Sequence, residues 1–199
     1  MPASAPDSSS QAAQLAKWMH QRPGSTLRAA KQALLLDVSI SAAEVFRHLE
    51  FLECQHDGPA VVQQRYVDAF EAALGVMEAL EAALLHPEVR LSGRLVQGHW
   101  NQSAEIRVRV HAEAEEVRPI LEALAMEPRA EMMNTRVGPC TVWMDDQTPP
   151  MIRVICAPPP ARSIVNESLV AGGTTLPMGL DDVRRRCREL GSGGQPVTE

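Results

Sequence analysis

The chain has no apolar run approaching about 18 residues, and its opening stretch, MPASAPDSSSQAAQ, has neither a basic segment nor an apolar one. No membrane span and no secretory leader is therefore expected, and the chain reads as cytoplasmic. Cysteine is sparse: Cys54, Cys140, Cys156 and Cys187 lie far apart, with no C-x-x-C pair and no histidine at zinc-finger spacing. That spacing speaks against a structural zinc site, and isolated reduced thiols suit the cytoplasm. Positive charge is in deficit as well. With 19 Lys+Arg against 25 Asp+Glu, the net charge is -6 and the pI about 5.5, which argues against binding nucleic acid or anionic membrane through a large basic field. A contact with DNA would have to be small and local. No Ser-His-Asp or Cys-His arrangement is readable from spacing, because such groups meet only in the fold.

What is present divides the chain. Its 199 residues, 45% of them hydrophobic, suffice for one domain of ordinary size or two small ones. The 15 Pro and 12 Gly fall mostly in the C-terminal half, whereas the first 86 residues carry Ala, Leu, Gln and Glu in helical proportions. Residues 1–10, rich in Pro, Ser and Ala, and residues 191–199 are expected to be disordered tails. A helix is predicted over 11–20, with Leu15, Trp18 and Met19 on one face and a stop at Arg22-Pro23-Gly24-Ser25. Thr26 caps a second helix, whose stripe is Leu27, Ala30, Leu34 and Leu35, and Asp37-Val38-Ser39-Ile40 breaks it. Ser41 then caps a third, with Glu44 at the capping-box position and Val45, Phe46, Leu49 and Leu52 inward.

Helix, Pro-Gly-Ser-Thr break, helix, short turn with an apolar residue, amphipathic helix: from Leu15 to Glu53 this order resembles the helix-turn-helix of winged-helix regulators. The resemblance implies that the third helix enters the major groove, placing Arg47 and His48, with Ala42 and Ala43, near DNA. Two features depart from the pattern. Glu44, Glu50 and Glu53 put negative charge on that helix, and residues 54–60 show no paired strands for a wing. Read from the residues alone, the alternative is a three-helix packing module over 11–56.

Asp57-Gly58-Pro59 opens the longest helix, predicted over 60–85 and ended by His86-Pro87. Val62, Tyr66, Phe70, Leu74, Met77, Leu80 and Leu84 give it a broad apolar side, suited to two neighbours or to a homodimer seam. Strands are predicted over 89–96, 105–111, 141–144 and 151–155, with a possible edge strand over 131–136 and helices over 114–126 and 180–190. The last two long strands flank a hairpin loop at Asp145-Asp146-Gln147-Thr148-Pro149-Pro150. Ala157-Pro158-Pro159-Pro160 is expected to end the sheet.

From Val89 to Ile155, strand, Gly-x4-Gly turn, strand, helix and further strands resemble the nucleotidyltransferase superfold of the polymerase-beta-like kind. Its motif is an apolar residue and Gly-Ser, about ten residues with another Gly, then Asp-apolar-Asp on the second strand and a third carboxylate on a later one. Gly93 and Gly98 match the two glycines, and Glu105-Ile106-Arg107 stands where Asp-apolar-Asp is expected. Two carboxylates two residues apart on a strand point to the same face and hold magnesium on a triphosphate, and the glycine turn brings backbone N–H groups to phosphate oxygens. In this chain Arg94 replaces the family serine, Arg107 the second aspartate, and Arg153 falls on the strand of the third carboxylate. The site therefore implies no metal; Mg2+ enters only under the alternative of an active nucleotidyltransferase, with Glu105 as its catalytic metal ligand beside an unorthodox second one.

Three readings stay open for Glu105, Arg107, Arg109 and Arg153. They form ion pairs on a solvated sheet face, or Gly93, Arg94, Gly98, Glu105, Arg107 and Arg153 build a metal-free pocket for a nucleotide or other anion, or the face meets a protein partner. His99-Trp100 either stacks on a base or plugs a core edge. Asp145-Asp146 are expected to face opposite ways and stay solvated. Asp181-Asp182 favour the start of the last helix, and its Arg184-Arg185-Arg186-Arg188 is a solvated basic run. The expected fold is α+β: an N-terminal helical bundle of helix-turn-helix type, a connecting helix over 60–86, and a small mixed sheet with helices on one face over 87–190. The expected function is a non-catalytic regulator or scaffold.

Overall fold

A computed structural model describes residues 8–22, 25, 27–36, 39–98, 105–147, 150–169 and 176–192. They form two compact units, one up to Tyr66 and one from Val67 onward, with the division inside a helix. Among the described residues no helix is long and apolar enough to cross a membrane.

The first unit is helical: α1 (Ser8–His20), α2 (Leu27–Ala33), α3 (Ala42–Asp57) and the start of α4 (Pro59–Ala83). Ala12, Leu15, Ala16 and Met19 recur at helical spacing on α1 and close over Ala30, Ile40, Val45, Phe46 and Leu49. α1 begins inside the stretch expected to be a tail, with Ser8, Ser9 and Ser10 exposed in its first turn, where serine is well tolerated. α2 is shorter than its stripe predicts. Leu36 N–H bonds back to the Lys31 carbonyl (3.0 Å) and Leu35 N–H to that of Gln32 (3.4 Å), which is the Schellman pattern, and Leu35 sits at its left-handed position with φ 53°. Leu35 is thereby 93% exposed and leaves the stripe. Ser41 does precede α3, but its side chain makes no capping bond. α3 runs on to Asp57, where Gly58 (φ 88°) turns the chain and Pro59 starts α4.

The second unit carries the sheet. Its part of α4 buries Ala69, Phe70, Ala73, Val76, Met77 and Leu80. Six strands follow, β1 (Arg90–Ser92), β2 (Ile106–Val110), β3 (Arg129–Thr135), β4 (Gly138–Asp145), β5 (Ile152–Cys156) and β6 (Met178–Gly179), in the order β3-β4-β5-β2-β1-β6. β2 and β5 are parallel and every other pair is antiparallel, so the expected α+β class and mixed sheet are present. Alternation sends Ile106, Val108 and Val110 to one face and Arg107 and Arg109 to the other. α5 (Ala114–Ala123) lies against the face of β4 that carries Trp143, whose indole N–H donates to the Ala114 carbonyl at 3.0 Å. On the opposite face Cys140, Val142, Met144 and Ile155 are covered by Ala157, Ala161 and Leu169, in and around a 3₁₀ turn at Pro159–Ile164.

Three expectations change. The strand predicted over 89–96 is only Arg90–Ser92, because Gly93 adopts φ 87° and a series of turns follows. The proline run ends β5 but not the sheet, since Met178–Gly179 pairs with β1 at the far edge and leads into α6 (Leu180–Ser192). Asp145 is not solvated: it is 7% exposed at the end of β4 and accepts the Gln147 N–H at 3.1 Å, while Asp146 pairs with Arg129.

Candidate functional site

β2 lies between β1 and β5 in the sheet. Antiparallel pairing sets Ser92 opposite Arg107, and parallel pairing sets Arg107 opposite Arg153. These three side chains therefore share one face. Ser92 Oγ donates to the Arg107 carbonyl at 3.2 Å. Glycine is favoured at 93 on two counts: its φ is 87°, and a Cβ there would lie 3.3 Å from Arg107 Cδ, which would have to give way. Gly98 (φ 76°) closes the turn.

Glu105 holds the arginines together. One carboxylate oxygen accepts from Nε and Nη2 of Arg107, and the other lies 2.6 Å from Arg153 Nε as an ion pair without hydrogen-bond alignment. Glu131 stands farther out, 3.9 Å from Arg153 Nη1. Burial lowers the pKa of Arg94 and of Arg107, and the neighbouring guanidiniums of Arg153 and then Arg94 lower Arg107 further. Arg107 and Arg153 thus share the carboxylate of Glu105, and Arg94 lies close enough to act on Arg107. Both Glu105 oxygens are paired with arginine, and among the described residues no three His, Cys, Asp or Glu groups gather as a metal set. The arrangement offers donors and positive potential to an anion.

The remaining sites predicted from sequence are dispersed. Arg47 is exposed and His48 half-buried on α3, with Ala42 and Ala43 exposed at its start and Glu50 exposed nearby. Phe51, four residues past Arg47 on the same helix, is 59% exposed. His99-Trp100 lies outside the described residues. Arg184 bonds Glu78 (2.9 Å) and Asp181 (3.2 Å), Arg185 bonds Asp182 (2.8 Å) and Arg186 bonds Glu189 (3.2 Å), so these charges on α6 are internally paired. Cys156 is buried and its thiol is pushed up to about 12 by burial, which removes it as a nucleophile.

Sequence reasoning missed the inner end of the same face. Arg109 and His111 continue the alternation of Glu105 and Arg107, but both are buried, beneath the segment that follows β5. The alternation places them on the face; only the fold of 157–169 shows that this end is covered. No protein family, curated protein or solved structure matches the chain.

Proposed function

We propose that the second unit is a non-catalytic, nucleotidyltransferase-like module that binds a nucleotide or similar anion, within a regulator or scaffold whose N-terminal helices contact DNA. The observation that carries this reading is the in-register pair Arg107 and Arg153 on adjacent parallel strands, with Arg94 close enough to act on Arg107 and with Glu105 as the carboxylate both share. In the resembling fold those positions hold magnesium carboxylates, and a guanidinium there repels the metal while supplying charge to phosphate directly. The glycine turn at Gly93 and Gly98 supports the same reading, because it brings backbone close to the cluster. For the DNA arm, the support is the helix order with an exposed Arg47 on α3.

Thermal unfolding with nucleoside triphosphates, with and without magnesium, tests the module. The expected outcome is stabilisation that needs no metal, disappears in Arg107→Met/Arg153→Met, and grows in Glu105→Gln, where the competing carboxylate is neutral. An active nucleotidyltransferase would behave oppositely: the gain would need magnesium and Glu105→Gln would abolish it. Loss of a duplex gel shift in Arg47→Ala/His48→Ala is the corresponding result for DNA, and no shift with any genomic fragment would defeat that arm.

A further inference from the structure

Arg109 is 2% exposed and His111 1%, two residues apart on one face at the end of β2. A guanidinium taken out of water needs a counter-charge or a full set of hydrogen bonds. Among the described residues Arg109 has neither: Nη1 donates to the Glu167 carbonyl at 2.9 Å, while Nε and Nη2 are buried without a partner. Those two N–H groups are neighbours on one edge of the guanidinium, the edge that meets two oxygens of a phosphate or carboxylate side by side. Both ring nitrogens of His111 are likewise buried without a hydrogen-bond partner, the Pro158 carbonyl approaching the ring out of alignment.

The charges that act on the pair are mainly cationic. Arg90 acts on Arg109, and Arg109 and Arg162 act on His111; the opposing carboxylate, Glu88, is held by Arg90 at 3.0 Å. A recess of about 580 Å³ lies on the far side of Arg90, the cross-strand partner of Arg109; Arg109 and His111 do not themselves line it, and its wall includes His86, Glu88, Arg90 and Asn166, the neighbour of the residue whose carbonyl holds Arg109. Of its other acids, Asp181 and Asp182 are paired with Arg184 and Arg185, and Glu81 remains as the carboxylate at the recess wall.

We propose that Arg109 and His111 form a second anion site, in which a small oxyanion entering from the recess beside Arg90 accepts from the Nε/Nη2 edge of Arg109 and from the His111 ring. It uses none of Arg94, Arg107 or Arg153 and stands or falls independently of the module proposed above. The probes are inorganic phosphate and acetate, each compared with chloride at equal ionic strength, on the full chain. Phosphate at about 10 mM is expected to raise the unfolding temperature by about 3 °C over chloride. Arg109→Met should lose that gain while being no less stable in chloride, and Arg107→Met/Arg153→Met should keep it. The relative gains with phosphate and acetate decide which oxyanion class the site prefers. Should Arg109→Met fail to fold, the Nε–H resonance of Arg109 in the wild-type chain, assigned through bonds, is followed during a phosphate titration and is expected to shift. Equal unfolding temperatures in all three salts, a gain that survives Arg109→Met, or an unmoved Nε–H resonance would overturn the proposal and leave water as the partner of these groups. Loss of triphosphate binding with the inorganic phosphate gain intact would defeat the nucleotide reading and leave this site standing.

Discussion

Up to Tyr66 the buried residues are Ala, Leu, Met, Ile, Val and Phe, with Glu53 as the polar exception among those described; from Val67 onward Arg109, His111 and Asp145 are buried as well. The two units thus meet water in different ways. The helical unit leaves Lys17, Arg22, Arg28 and Arg47 exposed and, apart from Glu53, keeps a hydrocarbon interior, which any sequence with the right period can build. The sheet unit turns a row of ionisable groups, Glu105, Arg107, Arg109 and His111, onto one face and covers half of it. Buried charge is costly to stability, so its concentration in the sheet unit, against Glu53 in the helical one, marks where the chain has kept something other than packing.

The largest effect that sharpens this contrast belongs to the hydrocarbon side. Leu15 is fully buried in the helical cluster, and Leu15→Ala should cost about 4 kcal/mol in urea unfolding. A loss below about 1 kcal/mol would mean that this unit collapses around the missing side chain and is not close-packed.

The charged side should break differently, with pH. His111 is held neutral, its pKa lowered from 6.5 to about 4 chiefly by burial and then by Arg109 and Arg162. In the unfolded chain the ring takes up its proton near pH 6.5, before the folded chain does, so acid favours unfolding. Stability is complete above about pH 6.5, falls by about 3 kcal/mol down to pH 4, and loses no more from this group below that. Urea titrations in chloride buffer should show this fall in the wild type and its absence in His111→Leu; parallel pH profiles for the two proteins would rule it out.

The smallest effect concerns the turn between the strands. Gly93→Ala places a side chain at φ 87° and 3.3 Å from Arg107 Cδ, and should cost about 1–2 kcal/mol while weakening any anion binding that depends on Arg107. Unchanged stability and binding would show that Arg107 moves freely.

The helical unit was largely legible in the sequence because a period of 3.6 residues sorts Ala12, Leu15, Ala16 and Met19 without reference to distant chain. Its misreading came at Leu35, where a left-handed cap was formed by leucine instead of the glycine that usually signals one. The class of the sheet unit and most of its strands were also legible, since Arg107 and Arg153 alternate with apolar neighbours. β6 was not: two residues carry no period, and their pairing with Arg90 and Leu91 depends on chain far along the sequence. The same non-locality hid the burial of Arg109 and His111, which is decided by the segment after β5, and of Asp145, whose neighbour Asp146 has the solvated setting both were expected to share.

The 3.3 Å approach of a Cβ at position 93 to Arg107 Cδ also makes these two places epistatic. A side chain added at 93 has to be met by a shift of Arg107, whereas a shorter side chain at 107 leaves residue 93 limited by its φ alone. The effects of changes at 93 and 107, measured singly, will therefore not add.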